Sequence, residues 1–110
     1  MVFHLIQTIA YDTGLERFVL ADKIRIERLI EQLKWNGHLI GKPLGYSYLR
    51  EKRFNGNRLY FLVYMEWSAI ALVGFSDKKT QQATIDAIKL NLESYKKYVY
   101  EELKRQNLIK

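Results

Sequence analysis

EKRFNGNRLYFLVY, residues 51–64, decides the architecture. Three cations, Lys52, Arg53 and Arg58, surround an Asn-Gly pair, and an apolar, aromatic run comes directly after. Asn-Gly between two strand-like segments is a strong hairpin signal, because both residues tolerate positive φ. The pattern predicts a strand over Tyr46–Phe54, a tight turn at Asn55-Gly56-Asn57 and an antiparallel partner over Arg58–Glu66. Trp67-Ser68 then reverses the chain into Ala69–Phe75. That segment, AIALVGF, is almost wholly apolar, which predicts a central strand covered on both faces.

Outward from this meander the pattern changes period. Ser76-Asp77 supplies an N-cap, and Ile85, Ile88, Leu92, Tyr95, Val99 and Leu103 form one stripe. The spacing predicts one long helix over about Lys78–Gln106, whose end projects toward a partner. On the other side, residues 2–11 are rich in β-branched and aromatic residues and read as a strand. Asp12 or Thr13 is the expected N-cap of the first helix. Residues 15–35 read as a short helix and a longer one joined near Ala21-Asp22, with Asn36-Gly37 as the stop. His38–Tyr46, with Gly41, Pro43 and Gly45, reads as loop. The expected fold class is α+β in the order β-α-α-β-β-β-α. A small antiparallel β-sheet is packed by N-terminal helices and a long C-terminal helix.

Composition narrows the function. A chain of 110 residues, 48 % hydrophobic, suits a single domain over residues 1–110 with a substantial core. There is no cysteine and there are two histidines, His4 and His38, so neither a disulfide framework nor a protein-only metal site is expected. No cofactor motif is present. No targeting segment is apparent, and the longest apolar run is well short of the ~20 residues that span a bilayer. A cytoplasmic protein is the expectation. The net charge is +6, and it is uneven: residues 42–58 carry five cations and one anion, residues 78–110 eight cations and four anions. Such patches favour an acidic partner, RNA, DNA or an acidic protein segment.

Strand alternation sorts the hairpin's charges. Arg50 and Lys52 share one face, Glu51 and Arg53 the other, and Arg58 approaches Arg53 across the turn. Like charges so placed repel, and Glu51 offsets only part of that repulsion. A phosphate would resolve it, since guanidinium groups offer bidentate contacts. Tyr46, Tyr48, Tyr60 and Tyr64 are near enough to stack on unpaired bases. Ser76–Gln82 is a second candidate for anion binding, a helix start carrying Lys78 and Lys79.

Two stretches taken in order, NGHLIGKPLGYSYLREKRFNGNRLYFLVY (36–64) and IALVGFSDKKTQQATIDAIKLNLESY (70–95), resemble the RelE/ParE toxin superfamily of toxin–antitoxin systems. The nearest resemblance is to its HigB-like branch. It is carried by Asn36, Gly37, Gly41, Lys42, Pro43 and Leu44, then Arg53, Phe54, Gly56 and Arg58, then Gly74, Phe75, Lys78, Lys79, Thr80 and Gln81. The resemblance implies the α+β fold sketched above. It also implies a ribosome-dependent mRNA endonuclease that needs no metal. A 2′-hydroxyl attacks the adjacent phosphate, so the protein must activate the hydroxyl, stabilise a dianionic phosphorane and protonate the leaving oxygen. By position, the catalytic candidates are Arg53 and Arg58 on the phosphate, with Tyr60 or His38 as proton donor. Lys52, Arg50, Lys78 and Lys79 are the RNA-binding candidates.

The implied partners are a cognate antitoxin, the ribosome and its mRNA, with no membrane. A homodimer through the C-terminal helix is a further expectation. The arginine after the last strand and the tyrosine near the C-terminus that many relatives keep have no match, since Ser76 and Gln82 stand at the aligned positions. The alternative is therefore a non-catalytic RelE/ParE-like protein that binds gyrase, another protein or nucleic acid.

Overall fold

The structure, a computed structural model, describes residues 2–110. Its elements run β1 (His4–Gln7), α1 (Ile9–Glu16), α2 (Leu20–Asn36), β2 (Lys42–Pro43), β3 (Leu49–Phe54), β4 (Asn57–Tyr64), β5 (Ala69–Ser76), α3 (Gln81–Leu90) and α4 (Leu92–Arg105). The five strands form one sheet in the order β1-β5-β4-β3-β2. The fold class is α+β, as the sequence predicts.

β5 is buried along its whole length between β1 and β4. Ile70, Leu72 and Phe75 face the helices α1 and α2, with Tyr11, Ile26, Leu29 and Leu33. Ala69, Ala71 and Val73 face α3 and α4, with Ile85, Ile88, Val99 and Leu103. Covering on both faces explains why this strand reads as a continuous apolar run rather than an alternating one.

Several expectations need correction, among them the loop over His38–Tyr46, within which Lys42–Pro43 pairs with β3 as the edge strand β2. The sheet is mixed, not antiparallel: β1 pairs with β5 in parallel. The hydrophobic pattern of a strand is the same in either direction, so the sequence carries no signal of this.

The first strand is also shorter than residues 2–11. Thr8 ends it, because its hydroxyl donates to the Leu72 carbonyl at 2.9 Å and accepts from the Tyr11 amide at 3.2 Å. Thr8, not Asp12 or Thr13, is thus the N-cap of α1. The break between α1 and α2 falls at Arg17–Val19, a few residues before Ala21-Asp22.

Finally, the C-terminal helix is two helices. Asn91 interrupts it, donating its side-chain amide to the Ala87 carbonyl at 2.8 Å, a local bond of the kind that competes with helix continuation. α4 therefore lies back on the core, with Val99 and Leu103 buried, and its end does not project.

The β3–β4 hairpin forms at the predicted turn, but β3 starts at Leu49 rather than Tyr46, and β4 runs Asn57–Tyr64 rather than Arg58–Glu66. Asn55 and Gly56 are the two turn residues, at φ 44° and 79°, and Phe54 pairs with Asn57. The tip is tied down by the Asn55 amide, which donates to Asp22 of α2 at 2.9 Å.

Candidate nucleic-acid interface

The hairpin register places Arg53 directly opposite Arg58, and Glu51 opposite Tyr60. All four lie on the sheet face that carries α3. Their environments differ sharply. Arg53 is exposed and has no ion-pair partner among the described residues. Arg58 is buried, its side chain 7 % exposed beside that of Glu51 at 2 %. Arg58 Nη1 donates to the Gly56 carbonyl at 3.2 Å. Its Nε lies 3.3 Å from Glu51 Oε1, yet the N–H is not directed at that oxygen and has no hydrogen-bond partner among the described residues.

Glu51 is the hub. Its Oε1 accepts from Gln81 Nε2 at 2.8 Å and from the Tyr60 hydroxyl at 3.4 Å. The Tyr60 hydroxyl is also 2.8 Å from Ser76 Oγ. Burial pushes the Tyr60 phenol above the ordinary tyrosine range, with the Glu51 charge adding to the effect. Tyr60 thus stays protonated and holds Glu51.

A bulge builds this cluster. Tyr60 pairs with Gly74 while Phe61 pairs with Leu72, so Val73 is the extra residue. Bulges re-aim the side chains beyond them. Without this one, Phe75 would join Val73 on the α3 face. With it, Phe75 joins the α1/α2 core and Ser76 pairs with Arg58. Gly74 adopts φ 151°, a conformation that L side chains rarely take.

Beyond Ser76 the chain turns through Asp77–Thr80, and Lys78 and Lys79 stand exposed at the same end of the sheet. Asp77 organises this turn. Its carboxylate accepts from the Thr80 amide at 2.9 Å and from the Thr80 hydroxyl at 3.0 Å. Those bonds hold its carboxyl below the usual range, the backbone bond contributing most. The helix starts at Gln81 rather than Lys78, so Gln81 stands at its head and reaches Glu51.

The other sequence candidates lie elsewhere. Arg50 and Lys52 occupy the opposite face, as alternation requires. Arg50 does not present its guanidinium to a ligand: Nε, Nη1 and Nη2 donate to the carbonyls of Ile40, Ser47 and Gly41 at 2.7, 3.2 and 3.0 Å. It pins the 40–47 loop. His38 packs against Phe3, ring centroids 5.4 Å apart, and lines a cavity with Ser47, Tyr48, Arg50, Val63 and Met65. Val63 is five residues along β4 from Arg58, roughly 16 Å of strand. His38 is therefore not beside the arginines. Tyr60 is beside them but has no exposed surface, and among the described residues its hydroxyl bonds to Glu51 and Ser76.

From sequence alone, Glu51 has only a screening role, and Gln81 belongs to the Ser76–Gln82 segment without a role of its own. The one available signal is Glu51 as the sole anion among the cations of residues 42–58. Nothing links it to Gln81, thirty residues away.

No protein-family model matches the chain. No curated protein matches it either. Solved structures do. A free-state Escherichia coli RelE toxin with two arginines replaced by alanine superposes with a TM-score of 0.69 at 11 % identity, covering 81 % of this chain and 97 % of that one. The RelBE toxin–antitoxin complex from Mycobacterium tuberculosis gives 0.63 at 14 %, covering 71 % and 93 %. The RelE–RelB complex from Pyrococcus horikoshii gives 0.61 at 15 %, covering 71 % and 97 %. The sheet order, the helix placement and these superpositions together show that the chain has the RelE toxin fold.

Proposed function

We propose that this protein is the toxin of a type II toxin–antitoxin pair and acts as a ribosome-dependent mRNA endonuclease that inhibits translation. The carrying observation is the Arg53–Arg58 pair at an open end of the sheet, with Lys78 and Lys79 beside it, on a RelE fold. Attack of a 2′-hydroxyl on the next phosphate builds a doubly negative phosphorane. Preorganised guanidinium groups stabilise such charge more than they stabilise the ground state. Arg53 makes the first contact and Arg58 the deeper one. Lys78 and Lys79 hold flanking phosphates, where each neutralised charge adds salt-dependent affinity. Lys52 on the opposite face extends the basic rim.

The solved structures of this fold from M. tuberculosis and P. horikoshii are complexes with antitoxins. A cognate antitoxin with an acidic or amphipathic segment over Arg53, Lys78 and Lys79 is the corresponding partner here. Controlled expression in translating cells, with mapping of mRNA 5′ ends, tests the enzymatic reading: new ends inside coding frames are expected.

A second reading has one specific observation behind it. Tyr60 is enclosed and His38 is distant, so neither expected proton donor reaches the arginine pair. A protein that uses the same surface to bind gyrase, another protein or nucleic acid, and cuts nothing, accounts for that. It predicts growth arrest with no new mRNA ends, relieved by Arg53→Ala.

A further inference from the structure

We propose that Glu51 is an internal stand-in for phosphate: its carboxylate balances the charge of Arg58 until a phosphate arrives and takes the guanidinium from it. The inference rests on the reading of Arg53 and Arg58 as a phosphate site, and it names what that site must give up to work.

The Glu51–Arg58 pair is lopsided. An arginine has five N–H donors in a fixed fork. Among the described residues Arg58 uses one of them, on the Gly56 carbonyl, and its buried Nε has no hydrogen-bond partner. The guanidinium is thus attracted to Glu51 as a charge but poorly bonded to it. Glu51 is the better-satisfied member, because Gln81 Nε2 donates to its Oε1 at 2.8 Å and the Tyr60 hydroxyl adds a longer contact at 3.4 Å. Ser76 in turn anchors that hydroxyl. Both donors are neutral, and both stay with the carboxylate when Arg58 turns away. The geometry therefore lets the arginine change partners while the glutamate stays bonded.

Arg53 completes the device. It sits directly opposite Arg58, exposed and unpaired, and side chains so placed are about 5 Å apart at Cβ. Without ligand, the two cations repel, and Glu51 makes their proximity tolerable. A phosphate landing on Arg53 lies next to Arg58 and offers the aligned oxygens that Glu51 does not. Glu51 and phosphate then compete for one guanidinium, and Gln81 sets the balance by supporting the carboxylate from the other side.

Two substitutions should act with opposite signs. Glu51→Gln keeps the shape and removes the competing charge, so phosphate binds more tightly, by roughly five-fold or more. Gln81→Ala removes a neutral donor, so the carboxylate depends more on Arg58 and phosphate binds more weakly.

The experiment uses the full chain with two probes. Inorganic phosphate is titrated while the arginine Nε–H resonances are followed by NMR. In parallel, binding is measured to ribosomes programmed with an mRNA whose A-site codon carries 2′-methoxy groups and cannot be cut. The expected order of phosphate affinity is Glu51→Gln, then the parent, then Gln81→Ala. Equal or weaker phosphate binding by a folded Glu51→Gln overturns the proposal. Where that variant does not fold, Gln81→Ala decides: unchanged or tighter phosphate binding overturns it. If the phosphate order holds and no variant binds ribosomes, the competition stands and the ribosome reading falls. Loss of phosphate binding by all three proteins removes both.

Discussion

Arg53 and Arg58 face each other across two strands, yet their replacement should have different consequences. Arg53 is exposed and unpaired, so Arg53→Ala should change stability by no more than about 0.5 kcal/mol. Its effect on mRNA cleavage should be a loss of roughly 10²-fold, the scale for removing one group that stabilises transition-state charge. Arg58→Ala should instead lower stability as well, because it leaves Glu51 buried without its cation. Thermal melts beside cleavage assays separate the two effects. Arg50→Ala is the counterpart on the other face. It removes three hydrogen bonds to loop carbonyls, so a loss of about 2–4 kcal/mol is expected in denaturant unfolding. Folded Arg50→Ala should keep the phosphate affinity of the parent, since none of its nitrogens faces the site. The arginine pair was legible because Asn-Gly fixes the hairpin register, and register decides which residues oppose. Arg50's role was not legible, since its partners are backbone carbonyls that no residue type announces.

At the scale of elements, the bulge in β5 and the turn after it do the positioning. Gly74 sits at φ 151° and Val73 is the unmatched residue, so Ser76 reaches the face of Tyr60 and Arg58. The run AIALVGF announces a buried strand but not a bulge, because an apolar run has no alternation to be interrupted. The break at Asn91 was hidden for a related reason: the apolar stripe keeps its spacing across it. Such patterns report which residues are buried, not whether the backbone stays straight between them. The turn Asp77–Thr80 has a pH signature. The Asp77 carboxyl is held below the usual range by the Thr80 amide and hydroxyl. A depressed folded value means the bonds contribute fully above the ordinary aspartate pKa and are lost as pH falls through the depressed one. The Thr80 amide resonance should therefore keep its position down to about pH 4 and shift only in stronger acid. Movement well above pH 4 would show that the carboxylate does not hold the turn.

The molecule encloses β5 between β1 and β4, with a helical layer on each face and the hairpin's cations at one end. The α+β class and the two-sided burial of β5 were legible from hydrophobic periodicity. The parallel pairing of β1 with β5 was not, because direction leaves no trace in composition. Burial also sets an alkaline limit. Tyr11 lies in the α1/α2 core, and desolvation first, with Asp12 and Glu27 nearby, pushes its phenol up to about 12. A raised folded value means stability is complete below the ordinary tyrosine pKa of about 10. It is then lost as pH rises toward about 12. Unfolding and tyrosinate absorbance should rise together in that window, and Tyr11→Phe should move the transition to higher pH. Unfolding that begins near neutral pH would assign the limit to other groups. Among the described residues, no helix is long and apolar enough to cross a membrane.

On the function proposed, the cationic end of this RelE fold cuts mRNA on the ribosome. The most direct measurement is 5′-end mapping of mRNA in a bacterial translation extract to which the purified parent protein or Arg53→Ala is added, with and without active ribosomes. New ends within coding frames that appear with the parent, vanish without translation and fall roughly a hundred-fold with Arg53→Ala are the predicted result. The same set of ends with and without the parent protein, while translation continues, would contradict it.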